Sequence, residues 1–271
     1  MPLFSVIPKR CRQDGICASV CPAHIIKGPK GKMPVMRPDF EAKCIACGHC
    51  MAFCPHGAAR VDTLDTAAML PLDRTLLPSP EQLEMLYRAR RSIRHFKKEA
   101  VPRELLENIL QAARHAPSAK NRRPLRWVAA YGAEQMRAIG DTVAQGLEWD
   151  LDNNPKPVIA ESKGLLKAWR RKLDPIFRGA PHLVMAVAAR SPMAELDSAI
   201  ALTYLELAAL SHNVGMCWAG YVTIVASYYA PLRELFGVGE NERVAGGQML
   251  GFIALRPTAC APRSPFSVHW L

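Results

Sequence analysis

Residues 44–55 read CIACGHCMAFCP. Cys44, Cys47, Cys50 and Cys54 stand at the spacing C-x2-C-x2-C-x3-C, and Pro55 closes the run. Three soft thiolates on closely spaced loop positions can hold one metal group, with a fourth ligand arriving from elsewhere. Gly48 lets the backbone curl round that group. A partner run is therefore expected. Residues 11–22, CRQDGICASVCP, supply it: Cys11, Cys17 and Cys21 occupy the first, third and fourth places of the same pattern, and Asp14 occupies the second.

Two such runs, each ending in Cys-Pro, resemble the ligand runs of bacterial two-cluster ferredoxins, and a zinc ribbon seldom has this shape. The resemblance implies a ferredoxin-like domain with two iron–sulfur clusters. In such proteins the fourth cysteine of each run serves the other cluster. One cluster, [4Fe–4S], would then take Cys44, Cys47, Cys50 and Cys21. The other would take Cys11, Cys17, Cys54 and Asp14. Asp14 departs from the common pattern, because a carboxylate is a harder ligand than a thiolate. Ligation by Asp14 is the favoured reading, since its register with Cys47 is kept. Water on the fourth iron, or a [3Fe–4S] cluster lacking that iron, are the alternatives, as is a solvated Asp14 with no metal role. His24, His49 and His56 read as loop residues near the clusters, able to tune them through hydrogen bonds to sulfur.

The rest of the chain is of a different kind. Seven of the nine cysteines fall before residue 55, so the thiols read as metal ligands in a reducing compartment and not as a disulfide framework. The 271 residues, 49% of them hydrophobic, suffice for two domains. Net charge is +11, but the basic residues are scattered and join no nucleic-acid motif, so no nucleic-acid partner is expected. The opening MPLFSVIPKR carries no apolar signal core, and the longest wholly apolar run, Leu183–Ala189, is far short of a membrane span. A soluble, cytoplasmic protein is expected, with no membrane partner.

Residues 1–62 are rich in Cys, Pro and Gly and need metal to hold them together. Residues 63–80 carry three prolines and read as a linker. Residues 81–271 form the second domain. Ser79 and Pro80 start a helix in which Leu83, Leu86 and Tyr87 share a face. A second helix starts near Pro102 with an apolar stripe through Leu105, Leu106, Ile109, Leu110 and Ala113. Trp127–Tyr131, Leu183–Ala189 and Gln248–Leu255 read as strands, and Ala199–His212 as a central buried helix. Residues 141–178 mix Trp149 and Trp169 with many charges and read as a mobile helical lid. The fold class is α+β.

Residues 90–94, RRSIR, precede a segment at 113–131, ARHAPSAKNRRPLRWVAAY. Further on stand Phe177-Arg178-Gly179-Ala180-Pro181 and the run Val214–Gly220, VGMCWAG. Their order and spacing resemble the nitroreductase family over roughly residues 81–271. The resemblance implies a central sheet flanked by helices, bound FMN and a homodimer. It assigns Arg90, Arg91 and Ser92 to the phosphate and ribityl chain, where guanidinium forks match phosphate oxygens. Arg94 goes to the N1/O2 side of the flavin, where a cation favours the anionic reduced ring. Pro117, Ser118 and Asn121 would reach the flavin across the dimer interface. Trp218, Ala219 and Gly220 would lie beside the ring, and Arg263 is a further phosphate candidate. Arg122, Arg123 and Leu125 depart from the family's usual Gln and aromatic.

No catalytic side chain is assigned, because the chemistry would belong to flavin N5. The expected function is an FMN-dependent oxidoreductase that passes electrons between clusters and flavin and reduces a small nitroaromatic or quinone-like compound. NAD(P)H and a redox protein are the candidate donors. The rival readings are an electron-transfer flavoprotein serving a protein partner, and ferredoxin-linked dehydrogenation in the reverse direction.

Overall fold

The computed structural model describes residues 3–271 and divides into two compact units. The first runs to Leu77 and takes in Lys120–Arg122; the second comprises Pro78–Ala119 and Arg123–Leu271.

In the first unit, β1 (Phe4–Val6) leads to α1 (Ile16–Ser19), β2 (Ile26–Lys27), β3 (Val35–Met36), α2 (His49–Ala52) and β4 (Ala59–Val61). β1 pairs with β4 and β2 with β3, both antiparallel. The unit is an internal duplication. Cys11 and Cys44, Cys17 and Cys50, and Cys21 and Cys54 are each 33 positions apart. The backbone repeats with the same offset. Gln13 and Ala46, Gly15 and Gly48, and His24 and Gly57 all have positive φ. Gly15 (φ 78°, ψ −1°) precedes α1 as Gly48 (φ 74°, ψ 0°) precedes α2. A left-handed turn of this kind favours glycine. Phe4, Ile25, Ile26, Met51, Ala59 and Val61 bury together with Cys17, Cys21 and Cys50. So small an apolar core contributes little stability by itself.

The chain leaves this unit through a largely irregular, exposed stretch broken by a 3-10 turn at Arg74–Leu76. It then enters α3 (Pro80–Ala89), where Ser79 and Gln82 form a full capping box. No residue of α3 is buried: Leu83 and Leu86 are half-buried and Tyr87 is exposed. α4 (Arg103–Ala113) follows, then β5 (Leu125–Tyr131), α5 (Ala133–Asn153), α6 (Ser162–Arg170), β6 (His182–Ala189), α7 (Pro192–Ser211), β7 (Val214–Trp218), α8 (Gly220–Tyr228), α9 (Ala230–Leu235) and β8 (Glu242–Phe252). The four long strands form one sheet in the order β5-β6-β8-β7, with every pair antiparallel.

Helices cover both faces of this sheet. Leu183, Met185, Cys217 and Met249 face a core built with α5, α6, α8 and α9. Val184, Ala186, Met216 and Leu250 face a second core built with α4 and α7. Burial on both faces explains the unbroken apolar run of β6, whose first seven residues are all buried.

Three expectations are corrected. β8 begins at Glu242, not Gln248. Within it, Gly246 and Gly247 admit close neighbours: a Cβ at Gly247 would overlap the Met185 thioether. Residues 141–178 are no lid. Val143, Leu147, Leu165, Leu166, Ile176 and Phe177 belong to the first core, and Trp169 lies directly on Gly140. α7 is buried on one side only. Ala201, Leu202, Leu205 and Ala209 are buried, whereas Met193, Leu196, Ile200 and Tyr204 line an exposed face.

Candidate functional site

The first unit sorts its ligand candidates into two groups. Cys21, Cys44, Cys47 and Cys50 line one cavity, with Phe4, Ile26 and Val61 behind them. Cys11, Asp14, Cys17 and Cys54 line a second. Cys21 thus joins the run that begins at Cys44, and Cys54 joins the run that begins at Cys11. Burial pushes the Cys50 thiol up to about 12, and Cys47, Cys21 and Cys44 push the same way. Burial also raises Cys17, with Asp14, Cys11 and Cys54 adding to it. Negative sulfur centres that repel one another round a small cavity call for cations among them, which would deprotonate the thiols outright. The donor sets fit iron–sulfur clusters. Among the described residues, no three His, Cys, Asp or Glu side chains converge closely enough to hold a single metal ion.

Asp14 occupies the place of Cys47 in the duplication, immediately before the left-handed glycine. Its Oδ1 accepts the Ile16 N–H at 3.1 Å, which orients the carboxylate. Cys54 Sγ accepts the Ala58 N–H at 3.2 Å, a contact of the type that tunes a thiolate.

Asn121 has an occupant already. Its Nδ2 donates to the carbonyls of Ile45 and Ala46, both at 3.0 Å, in the loop between Cys44 and Cys47. Lys120, Asn121 and Arg123 all have positive φ, so this is an unusual turn. Beside it in the chain, the Ala119 N–H donates to the buried Asp197 at 3.0 Å, and the Arg123 N–H donates to Ser118 Oγ at 2.8 Å. Pro117 and Ser118 line a cavity of about 130 Å³ with Asp197, Arg114 and Trp127.

In the second unit the Arg90–Arg94 segment runs beside the sheet. The Ile93 N–H donates to the Met216 carbonyl at 2.9 Å, and Gly215 makes room for Ile93. Arg90 Nη1 pairs with Glu206 of α7 at 2.9 Å. Gln248 Nε2 reaches the other Glu206 oxygen at 3.5 Å, and Gln248 Oε1 is buried without a partner. Arg91 and Ser92 are half-buried, and Arg94 is exposed. Trp218 ends β7 with its ring over Gly246, yet stays 42% exposed; Ala219 is buried and Gly220 opens α8. Arg90–Arg94 and Trp218–Gly220 are therefore brought to one region of the sheet. Arg263 lies in the stretch from Ala254 onward, all of it exposed.

The fold and sequence both match known proteins. Residues 87–252 match the nitroreductase family, and residues 10–59 match the 4Fe-4S dicluster domain. The chain belongs to the nitroreductase family. It is a nitroreductase-family oxidoreductase with an N-terminal dicluster ferredoxin domain. A Bacillus subtilis protein, YfhC, provisionally named an NAD(P)H nitroreductase, is 25% identical over 189 residues, covering 65% of this chain and 90% of that one. The electron transport protein HydN of Escherichia coli K12 is 43% identical over 53 residues, 19% of this chain and 28% of HydN. A Bacteroides fragilis nitroreductase with bound FMN shares the fold, with a TM-score of 0.57 at 21% identity over 69% of this chain and 99% of that one.

Glu206, Asp197 and Gln248 are absent from the sequence-derived set. A signal for the first two exists, because both are acids in a largely apolar helix, although the exposed Glu195 shares it. Nothing in the sequence singles out Gln248.

Proposed function

We propose that this chain is an FMN-dependent reductase that exchanges electrons between two iron–sulfur clusters and the flavin and reduces a small nitroaromatic or quinone-like compound. The observation that carries it is the sorting of seven cysteines and Asp14 round two cavities, in a chain whose other unit is a nitroreductase-family domain. FMN, when bound, supplies hydride chemistry and the conversion between one- and two-electron steps.

The chain's own residues bind and tune. Arg90, Arg91 and Arg94 offer guanidinium forks to phosphate and to the flavin edge, with the Ser92 hydroxyl among them. Glu206 takes one Nη of Arg90, which holds the guanidinium in place and leaves its other N–H groups free. Gln248 brings an unsatisfied buried acceptor to the same network. Trp218 offers a half-exposed wall, and Gly220 leaves a backbone N–H open to approach. Asp14 ligates the fourth iron of the cluster held by Cys11, Cys17 and Cys54, a reading supported by its equivalence to Cys47.

The active form is a C2 homodimer. The apolar face of α7 through Met193, Leu196, Ile200 and Tyr204 supports this, as does the exposed tail with Phe266 and Trp270. The donor resolves in one experiment: anaerobic flavin bleaching with NADH, NADPH and reduced ferredoxin side by side. Fast bleaching by a nicotinamide, followed by reoxidation with a nitroaromatic, is expected. Bleaching by ferredoxin alone, with no turnover of any nitroaromatic or quinone, favours service to a protein partner.

A further inference from the structure

A cavity of about 430 Å³ in the second unit is lined in part by the Phe177–Pro181 stretch and by none of the residues assigned to the flavin or the clusters. Its size falls within the roughly 300–1,000 Å³ range of small-molecule sites. The start of α5, the end of α6 and the turn before β6 enclose it. Met136 and Phe177, both buried, contribute apolar wall, and Trp169 contributes aromatic wall.

This wall is held rigidly. Trp169 Nε1 donates to Asp141 Oδ1 at 2.8 Å, and the Arg137 guanidinium stacks 5.2 Å from the ring centre. The cavity's one carboxylate is already used. Asp174 accepts the Phe177 N–H through Oδ1 and the Gly179 N–H through Oδ2, each at 2.8 Å, and so forms the turn. Arg137 is paired with Asp141. Lys98 and Lys172, both exposed at the cavity, have no carboxylate partner among the described residues. The result is an aromatic slot with two ammonium groups that no carboxylate pairs, beside an Asp174 carboxylate whose oxygens are both engaged by backbone N–H groups. Flat rings pack well against such walls, and a carboxylate would answer the charge.

We propose that this cavity is a second ligand site, for a small aromatic carboxylate whose ring lies against Trp169, Phe177 and Met136 and whose charge is met by Lys98 and Lys172. The site does not depend on the flavin assignment. A preformed pocket loses little freedom on binding.

Calorimetric titration of the full-length, cofactor-loaded protein tests it with three probes: 2-naphthoate, neutral 2-naphthamide and inorganic phosphate. Saturable binding of one naphthoate per chain is expected, with naphthamide weaker by about tenfold and phosphate not bound. Lys98→Gln with Lys172→Gln should weaken naphthoate by about tenfold or more. Leu173→Trp, at an exposed lining position, should block it by filling the slot. All variants should keep native flavin and iron content. Equal binding of naphthamide, phosphate binding as tight as naphthoate, absence of naphthoate binding, or naphthoate binding undiminished in Leu173→Trp would each overturn the proposal. The last result would place the compound elsewhere, including over the flavin.

Discussion

Asp14 and Asn121 each show one side chain whose role turns on what it touches. Asp14 stands where the duplication puts Cys47, with one oxygen committed to the Ile16 N–H. A carboxylate binds iron less durably than a thiolate, so this corner of the cluster should be the first to lose its metal. Asp14→Cys should therefore retain four irons at that cluster through air exposure that reduces the native protein to three; iron and sulfide assays with electron paramagnetic resonance check this. Asn121 belongs by resemblance to a flavin loop, but its amide is spent on Ile45 and Ala46. Removing it strips two bonds from the loop between Cys44 and Cys47, at a cost on the order of 1–3 kcal/mol. Asn121→Leu should thus speed loss of the Cys44-run cluster to a chelator while flavin content holds. Flavin loss with an intact cluster would restore the original assignment.

Helices α5 and α6 illustrate the element scale. Their charges and tryptophans look like those of a surface lid, yet Trp169 sits on Gly140 and draws α6 onto α5. Alanine is the better helix former by about 1 kcal/mol, so Gly140→Ala would stabilise a free helix. Here the added methyl would drive Trp169 off its seat. Net destabilisation of about 1–3 kcal/mol is expected from overpacking, read as a lowered thermal midpoint. A raised midpoint would mean that the two helices are not packed in this way. The Arg126 fork acts at the same scale. It bonds both Glu242 oxygens and the Gly237 carbonyl, joining the starts of β5 and β8. The Gly237–Gly239 stretch accordingly reads as a turn, with the Gly239 N–H donating to Glu242.

Two buried or paired groups give the whole molecule its expected pH response. The Val101 N–H donates to His182 Nε2 at 2.9 Å, so the fully buried ring is neutral with its proton on Nδ1. Burial lowers His182 to about 4 from 6.5. In that window the unfolded chain takes up a proton that the folded chain refuses, so stability is complete above 6.5 and falls as pH drops toward 4. The loss amounts to about 3 kcal/mol. Glu242 is held at about 2 by the Arg126 fork and the Gly239 N–H, so its contribution is lost in turn between 4.5 and 2. Denaturant midpoints at pH 8 and pH 5, for native protein and His182→Gln, check the first step, and the variant should show the smaller difference. Assembly is testable on the same scale. The proposed homodimer would cover the exposed α7 face, and FMN should stabilise it by mass action. Sedimentation across concentrations, with and without FMN, should show a dimer that tightens with flavin. A monomer retaining flavin at high dilution would rule out a shared site.

The sequence by itself determined the parts whose logic is local. Cysteine spacing marked the candidate ligands, because a cluster needs thiolates at fixed short separations. The strand at Leu183–Ala189, the cap at Ser79 and the helix start near Pro102 were legible because burial, capping and helix initiation leave their signs within a few residues. The tertiary structure alone decided what depends on distant partners. Asn121 meets a carbonyl 75 residues away, and Arg90 meets Glu206 across 116. Gly246 and Gly247 are required by Trp218 and Met185, which lie against them from elsewhere in the chain. The helices at 141–178 read as mobile until a sheet face covers them. The apolar run at Ala199–His212 could not reveal which side of α7 stays open, because hydrophobicity all round a helix carries no direction. Contacts between residues far apart in the chain leave no periodic signature in it, and only the packed molecule shows them.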